Sequence, residues 1–383
     1  MTSPLHMDAD ELKAWRHHIH SHPELAFEER MTADFVAERL ASWGIEVHRG
    51  LARTGVVGRL KAGSSARSIG LRADMDALPM QEANDFAHAS RHPGVMHACG
   101  HDGHTVMLLA AARHLAQTRN FDGIVHFIFQ PAEEAAGGAK VMIDDGLFEK
   151  FPMDMVHGMH NLPGLPAGHF AMRVGAVMAA FDSFDIYVRG TGTHAALPHL
   201  GSDAIVAASA IVTALQTIVA REMNPTEPAL VSITRVAGGD SYNVMPDMVR
   251  LSGCCRSFRD ETQNALRAAI GRIATDVARA HRCEAEVLFR EHYPATVSTE
   301  DGIRAAAAAA IDVVGAERVD TDTPALLASE DFGYMLQEKP GSYIFIGNGP
   351  GTGGCMLHNP RYDFNDGILT TGARYWVRLV ERE

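Results

Sequence analysis

The chain has 383 residues, with 34 Lys+Arg against 47 Asp+Glu and a formal charge of −13. A hydrophobic share of 46% and a charged share of 21% describe a globular chain long enough for two domains, not a disordered one. The acidic balance excludes the basic face that nucleic acid or anionic lipid requires, so neither nucleic acid nor membrane is an expected partner. Histidine is unusually frequent at 21, and an imidazole-rich acidic chain suits a cation.

Residues 1–12 are polar and lack the basic start and apolar core of a signal peptide, and the longest apolar run, 305–311, is too short to span a bilayer. Five cysteines (99, 254, 255, 283 and 355) show no framework spacing, so a cytoplasmic protein with reduced thiols is expected.

In chain order, Leu12, Trp15 and Ile19 share a helix face that Pro23 closes, and Phe35, Val36, Leu40 and Trp43 repeat that spacing. Residues 68–73 read as a buried strand running into Asp74, 105–117 as a Leu/Ala-rich helix, 123–129 as a strand ended by Gln130-Pro131, and 155–159 as another short strand. This alternation predicts an α/β domain with a largely parallel sheet, where ligands sit beyond the carboxyl ends of the strands. Between 182 and 293, strands at 183–189, 230–236, 247–258 and 284–292 surround helices at 202–221 and 261–281. The order β-α-β-β-α-β is the ferredoxin-like pattern. It predicts an α+β domain at 182–293 inserted between the two parts, 1–181 and 294–383, of the α/β domain. A helix at 302–314, a strand at 342–346 and a last helix from 368 complete the chain.

Four clusters could carry chemistry. The densest is His97-Ala98-Cys99-Gly100-His101-Asp102-Gly103-His104, where two glycines permit a tight turn and Cys99 and His101 can converge on one metal ion. Glu133 and Glu134 follow the strand ending at Gln130-Pro131. Neighbouring carboxylates on an extended segment diverge, so one can bind metal while the other serves as a general base. His157 and His160 end another strand, and one of the two is free to be a core histidine. His358 lies three residues after Cys355, which ranks below Cys99 because no other donor surrounds it. In the inserted region, His194 sits on a glycine-rich turn, and Asn243 is a loop residue that could contact substrate. The run 349–354 matches a dinucleotide fingerprint only by letter, since no helix pattern follows it.

Taken together, several stretches resemble one family. They are Arg16-His17-His18-Ile19-His20 with His22-Pro23-Glu24-Leu25, Leu71-Arg72-Ala73-Asp74-Met75-Asp76, His97 to His104, Gln130-Pro131-Ala132-Glu133-Glu134, Gly158-Met159-His160-Asn161, Gly192-Thr193-His194-Ala195-Ala196, Ser329-Glu330-Asp331-Phe332 and His358-Asn359-Pro360. The series is similar to the amidohydrolase branch of the zinc aminoacylase/carboxypeptidase family, which holds hippurate hydrolases, N-acyl-amino-acid amidohydrolases and indole-acetyl-amino-acid hydrolases. The resemblance implies a zinc-peptidase-like α/β catalytic domain with an inserted ferredoxin-like lid that also serves dimerisation, and a homodimer or higher homo-oligomer. It implies two divalent ions (Zn, Mn, Co or Ni) held by Cys99, His101, Glu134, His160 and His358, with Cys99 bridging and Glu133 as general base. It places Asp74 and Asp76 beside the site, and His194, Asn243 and Arg256 against the substrate. The implied reaction is hydrolysis of an N-acyl amino acid by a metal-activated water. The alternatives are deacetylation or dipeptide cleavage at the same centre, a non-catalytic metal-binding relative, and a thiol amidase with Cys99 as nucleophile.

Overall fold

The computed structural model describes residues 8–350 and 355–382. Two units are distinguished by their internal contacts. One contains the chain up to Val177, Thr296–Pro324 and the chain from Asp331, and the other contains Met178–Ala295 with Ala325–Glu330.

The first unit is built on an eight-stranded sheet. Its spatial order is Glu46–Leu51, Gly55–Ala62, Gly123–Gln130, Ser68–Asp74, Met155–Pro163, Gly341–Gly349, Phe170–Ala171 and Val319–Asp320. The four central strands run parallel. Every residue of Ser68–Asp74 and of Gly341–Gly349 is buried, as expected of strands covered on both faces. The sheet is mixed rather than largely parallel. A hairpin, Glu46–Leu51 with Gly55–Ala62, joins one side antiparallel, and Phe170–Ala171 lies antiparallel to Gly341–Gly349 on the other. The hairpin is possible because Ala52 and Arg53 both take left-handed conformations, at φ 48° and 69°. Helices His101–Thr118, Glu300–Val314 and Leu369–Arg382 pack together against the sheet. The core holds Met107, Leu108, Phe127, Phe129, Ile344 and Trp376.

The second unit has an antiparallel sheet ordered Ala229–Ala237, Met248–Ser257, Ala180–Arg189 and Glu284–Tyr293. Helices Ala204–Thr217 and Asp260–Ala280 pack against it. Numbered along the chain, the strands lie in the order 2-3-1-4, the ferredoxin-like arrangement. Phe184, Ile186, Val188, Val249 and Leu251 alternate inward to form its core. The stretch Ala204–Glu222 is long and apolar enough to cross a membrane by length and composition, with a mean hydropathy of 1.7. Ala207, Ala208, Ile211 and Leu215 are nevertheless buried in their own unit's core, while Ile205, Val206 and Val219 are exposed. Gly351 to Gly354, within the glycine-rich run, lie outside the described residues, and the segment from Cys355 to Pro360 that follows is not helical.

Candidate metal centre

Cys99 and His101 come from the turn that opens helix His101–Thr118. Gly100 makes this turn possible twice over. Its φ is 94°, and a Cβ there would lie 2.4 Å from Asn161 Oδ1 and 2.7 Å from Tyr362 Oη. Glu133 and Glu134 begin the helical turn after strand Gly123–Gln130, and His160 lies on strand Met155–Pro163. His358 is fixed by its own backbone N–H, which donates to Ala98 O at 2.8 Å, in a left-handed conformation with φ 61°. Two of the seven described non-glycine residues with positive φ, Ala132 and His358, are therefore at this site, where strained backbone tends to collect.

The donor atoms form two triads, each with its atoms within 4.8 Å of one another. One is Cys99, His101 and His160, and the other is Cys99, Glu134 and His358. Cys99 belongs to both. Cys99 Sγ is 3.4 Å from His160 Nε2, and Glu134 Oε1 is 3.3 Å from His358 Nε2 and 3.9 Å from His101 Nε2. Among the described residues, the buried atoms His101 Nε2 and Glu134 Oε1 have no hydrogen-bond partner. Orphaned buried polar atoms facing one another are costly unless a cation joins them.

The imidazoles are set for ligation. His101 Nδ1 donates to Asp76 O at 2.9 Å, and His160 Nδ1 donates to Asn161 O at 2.7 Å. Each Nε2 lone pair is thereby left facing the cluster. Burial, then Glu134, Glu133 and Asp74, push the Cys99 thiol well above its ordinary value. A divalent cation at the centre reverses that repulsion and releases the thiol proton. Burial alone would lower His101, but Asp74, Asp76 and Glu134 outweigh it and push it up to about 10. A cation at Nε2 would take the place of that proton. The donor set therefore fits metal.

Glu133 is buried and has a carboxylate oxygen within 4.8 Å of donor atoms of His101 and Glu134. A further triad, Asp74, His101 and His104, also meets the spacing for a metal. Both ring nitrogens of His104 are already engaged there, with Asp74 Oδ1 at 2.6 Å and with the N–H of Asn161 at 3.0 Å. His157 is the histidine turned into the core. Its Nδ1 meets Ser342 Oγ at 2.7 Å, and burial lowers it to about 3. Cys355 joins none of the donor groups found among the described residues.

In the other unit, His194 lies on a short strand paired with Val244–Met245, and Asn243 is the turn residue just before that strand, its carbonyl accepting from Ala195 N at 2.9 Å. His194 Nδ1 accepts from Ala196 N at 3.0 Å, and both residues are exposed. Arg256 is tied within its own unit to Leu327 O at 2.7 Å and lies over the Phe181 ring.

Two partners of the site went unread in the sequence. Glu29 meets the backbone of Ala132, and Arg16 meets Asp102 beside His101. Arg16 stood in a recognisable motif, but a motif gives no contact. Glu29 carried no signal apart from the charge of a residue preceding a helix.

Residues 70–382 match peptidase family M20/M25/M40, and the chain belongs to that family. It is a metal-dependent hydrolase acting on amide bonds. The hippurate hydrolase of Campylobacter jejuni is 42% identical over 370 residues, spanning 97% of this chain and 96% of the relative. An N-acetyl-L-cysteine deacetylase of Bacillus subtilis is 36% identical over 369 residues, spanning 96% and 86%. A crystal structure described as a dinuclear metal binding peptidase from the M20 family, also of Bacillus subtilis, superposes with a TM-score of 0.85 at 32% identity and covers 98% of each chain.

Proposed function

We propose that the protein hydrolyses N-acyl amino acids to a carboxylic acid and a free amino acid at a dinuclear metal centre. The observation that carries the reading is the pair of donor triads sharing Cys99. Cys99, His101 and His160 would hold one ion, and Cys99, Glu134 and His358 the other, with Cys99 bridging. Thiolate, imidazole and carboxylate together suit Zn, Mn, Co or Ni. When bound, such ions polarise the amide carbonyl and bring the pKa of a water from 15.7 towards about 7.

Glu133 takes the proton of the attacking water as its oxygen bonds to the acyl carbon. It returns that proton to the amide nitrogen as the C–N bond breaks. Acid–base help of this kind is typically worth about 10²–10⁴-fold. Asp76 receives the His101 Nδ1–H on its backbone carbonyl at 2.9 Å, with its Oδ1 3.2 Å from the same nitrogen, and its Oδ2 receives the N–H of Glu134 at 3.0 Å, so one residue orients two proposed ligands. From the inserted unit, we assign His194 and Asn243 to the substrate, on the support of their exposed adjoining positions. Arg256, whose guanidinium meets Leu327 O and Ser329 Oγ, is assigned to the substrate carboxylate.

We also assign a homodimer formed through the inserted unit, supported by the exposed Ile205, Val206 and Val219 on its apolar helix. A reducing cytoplasm suits the five unpaired cysteines.

The test is a panel of N-benzoyl-, N-acetyl- and indole-acetyl-amino acids given to the purified protein with and without chelator. Turnover of at least one class, lost with chelator and regained with metal, is expected. Hydrolysis that survives complete metal removal would favour Cys99 as a nucleophile instead.

A further inference from the structure

We infer that Glu29 is a positioning residue that aims the Glu133–Glu134 pair, an inference that rests on the roles assigned to those two carboxylates above. Glu29 directly precedes helix Arg30–Ser42, yet its side chain does not cap that helix. The N–H groups of Met31 and Thr32 go to Glu24 instead. Glu29 is wholly buried and turned the other way. Its Oε1 accepts from Ala132 N at 2.9 Å and Phe27 N at 3.0 Å, and its Oε2 accepts from Thr54 Oγ1 at 2.6 Å.

Ala132 is the hinge of the catalytic turn. It is fully buried, has φ 59° and ψ 41°, and directly precedes Glu133. A left-handed alanine is unfavourable unless its surroundings enforce it. Two contacts do so. The Ala132 N–H is received by Glu29, and its carbonyl accepts from Gly138 N at 3.0 Å. The same turn is held further along by Asp76, which receives the N–H of Glu134. Glu133 and Glu134 thus hang from two other carboxylates, Glu29 at the start of the turn and Asp76 one residue past Glu133. Asp76 also contacts the ligand His101, whereas Glu29 reaches the site only through the backbone of Ala132. The loop that presents Thr54 to Glu29 contains the left-handed pair Ala52 and Arg53, so a strained hairpin connection is used to complete the cradle.

The experiment compares Glu29→Asp and Glu29→Gln in the full chain. Aspartate keeps the charge but withdraws the acceptor by one methylene. Glutamine keeps an oxygen within reach of the Ala132 N–H. At saturating metal, Glu29→Asp should lower kcat at least tenfold with KM within about twofold. Competition with a chromogenic chelator should show at least one ion bound about tenfold more weakly, because Glu134 moves with the turn. Glu29→Gln should stay within about threefold of the parent in both readouts. A Glu29→Asp variant equal to the parent in kcat and metal affinity would overturn the inference, as would a Glu29→Gln variant no better than Glu29→Asp. Glu133→Gln and Glu134→Ala run alongside. If these retain turnover and metal, the roles of the carboxylates themselves fail. If they lose them while Glu29→Asp does not, only the positioning role fails.

Discussion

Arg16 is wholly buried and joins three carboxylates from two distant segments. Its guanidinium lies 3.2 Å from Asp102 Oδ2 and 2.8 Å from Asp363 Oδ1, and it also bonds Asp366. Asp102 adjoins His101, and Asp363 and Asp366 follow His358, the two histidines proposed as ligands. Replacing Arg16 with Met keeps an apolar stem and leaves Asp102, which is also fully buried, with His20 hydrogen-bonded to it and His97 nearby as the groups facing its charge. Removing one partner of a buried ion pair costs about 3–5 kcal/mol. Asp363 and Asp366 keep 16% and 24% of their side-chain surface, so water relieves part of the cost. The expected loss is therefore at the low end, about 3 kcal/mol. At about 2–4 °C per kcal/mol, that is a fall of roughly 6–12 °C in the midpoint of the first unit. Scanning calorimetry of parent and Arg16→Met at neutral pH measures it, with the two units followed as separate transitions where they resolve. A fall smaller than about 2 °C would refute the view that Arg16 clamps the segments around Asp102 and Asp363.

His20 supplies a pH test of the same clamp. Burial alone would lower it, but Asp102 and Glu82 outweigh burial and raise it to about 9. The folded state therefore holds this proton more tightly than the unfolded chain, where the value is about 6.5. The stabilisation is full below about pH 6.5 and is lost as pH rises through about 9. His20→Gln should thus cost most near pH 6 and least near about pH 10 in urea titrations, and a pH-independent cost would contradict this. Gly100→Ala forces a Cβ to 2.4 Å from Asn161 Oδ1 at φ 94°, so it should lower both the melting midpoint and the metal retained after dialysis. An unchanged melt and metal content would show that the turn relaxes freely. Cys99→Ala removes the donor common to both triads and should reduce metal per chain by elemental analysis, while full stoichiometry would count against bridging.

The fold was legible where burial leaves a periodic imprint. Leu12, Trp15 and Ile19 marked the first helix, and the short stretch Ile69-Gly70-Leu71, interrupted only by Arg72 before Asp74, marked a strand buried on both faces. The hairpin Glu46–Leu51 with Gly55–Ala62 was not read. Its first strand is mostly exposed, and its turn uses Ala and Arg in left-handed conformations that no turn chemistry advertises. The proposed metal donors were readable because each stands in a short motif and the motifs together resemble one family, not because histidine or glutamate is scarce. From the residues alone His157 and His160 stay open, and the family resemblance points to His160; in the structure His157 turns toward Ser342 while His160 Nε2 lies 3.4 Å from Cys99 Sγ. Glu29 and Arg16 were invisible as contributors because their contacts, to Ala132 and to Asp102, Asp363 and Asp366, span 86 to 350 residues and leave no local pattern.

The most direct test of the central claim is Glu133→Gln, with metal content and turnover measured on the same preparation. Metal per chain should equal the parent, and turnover of the best N-acyl amino acid should fall by at least about 100-fold. Turnover within a few-fold of the parent, with metal intact, would contradict that claim.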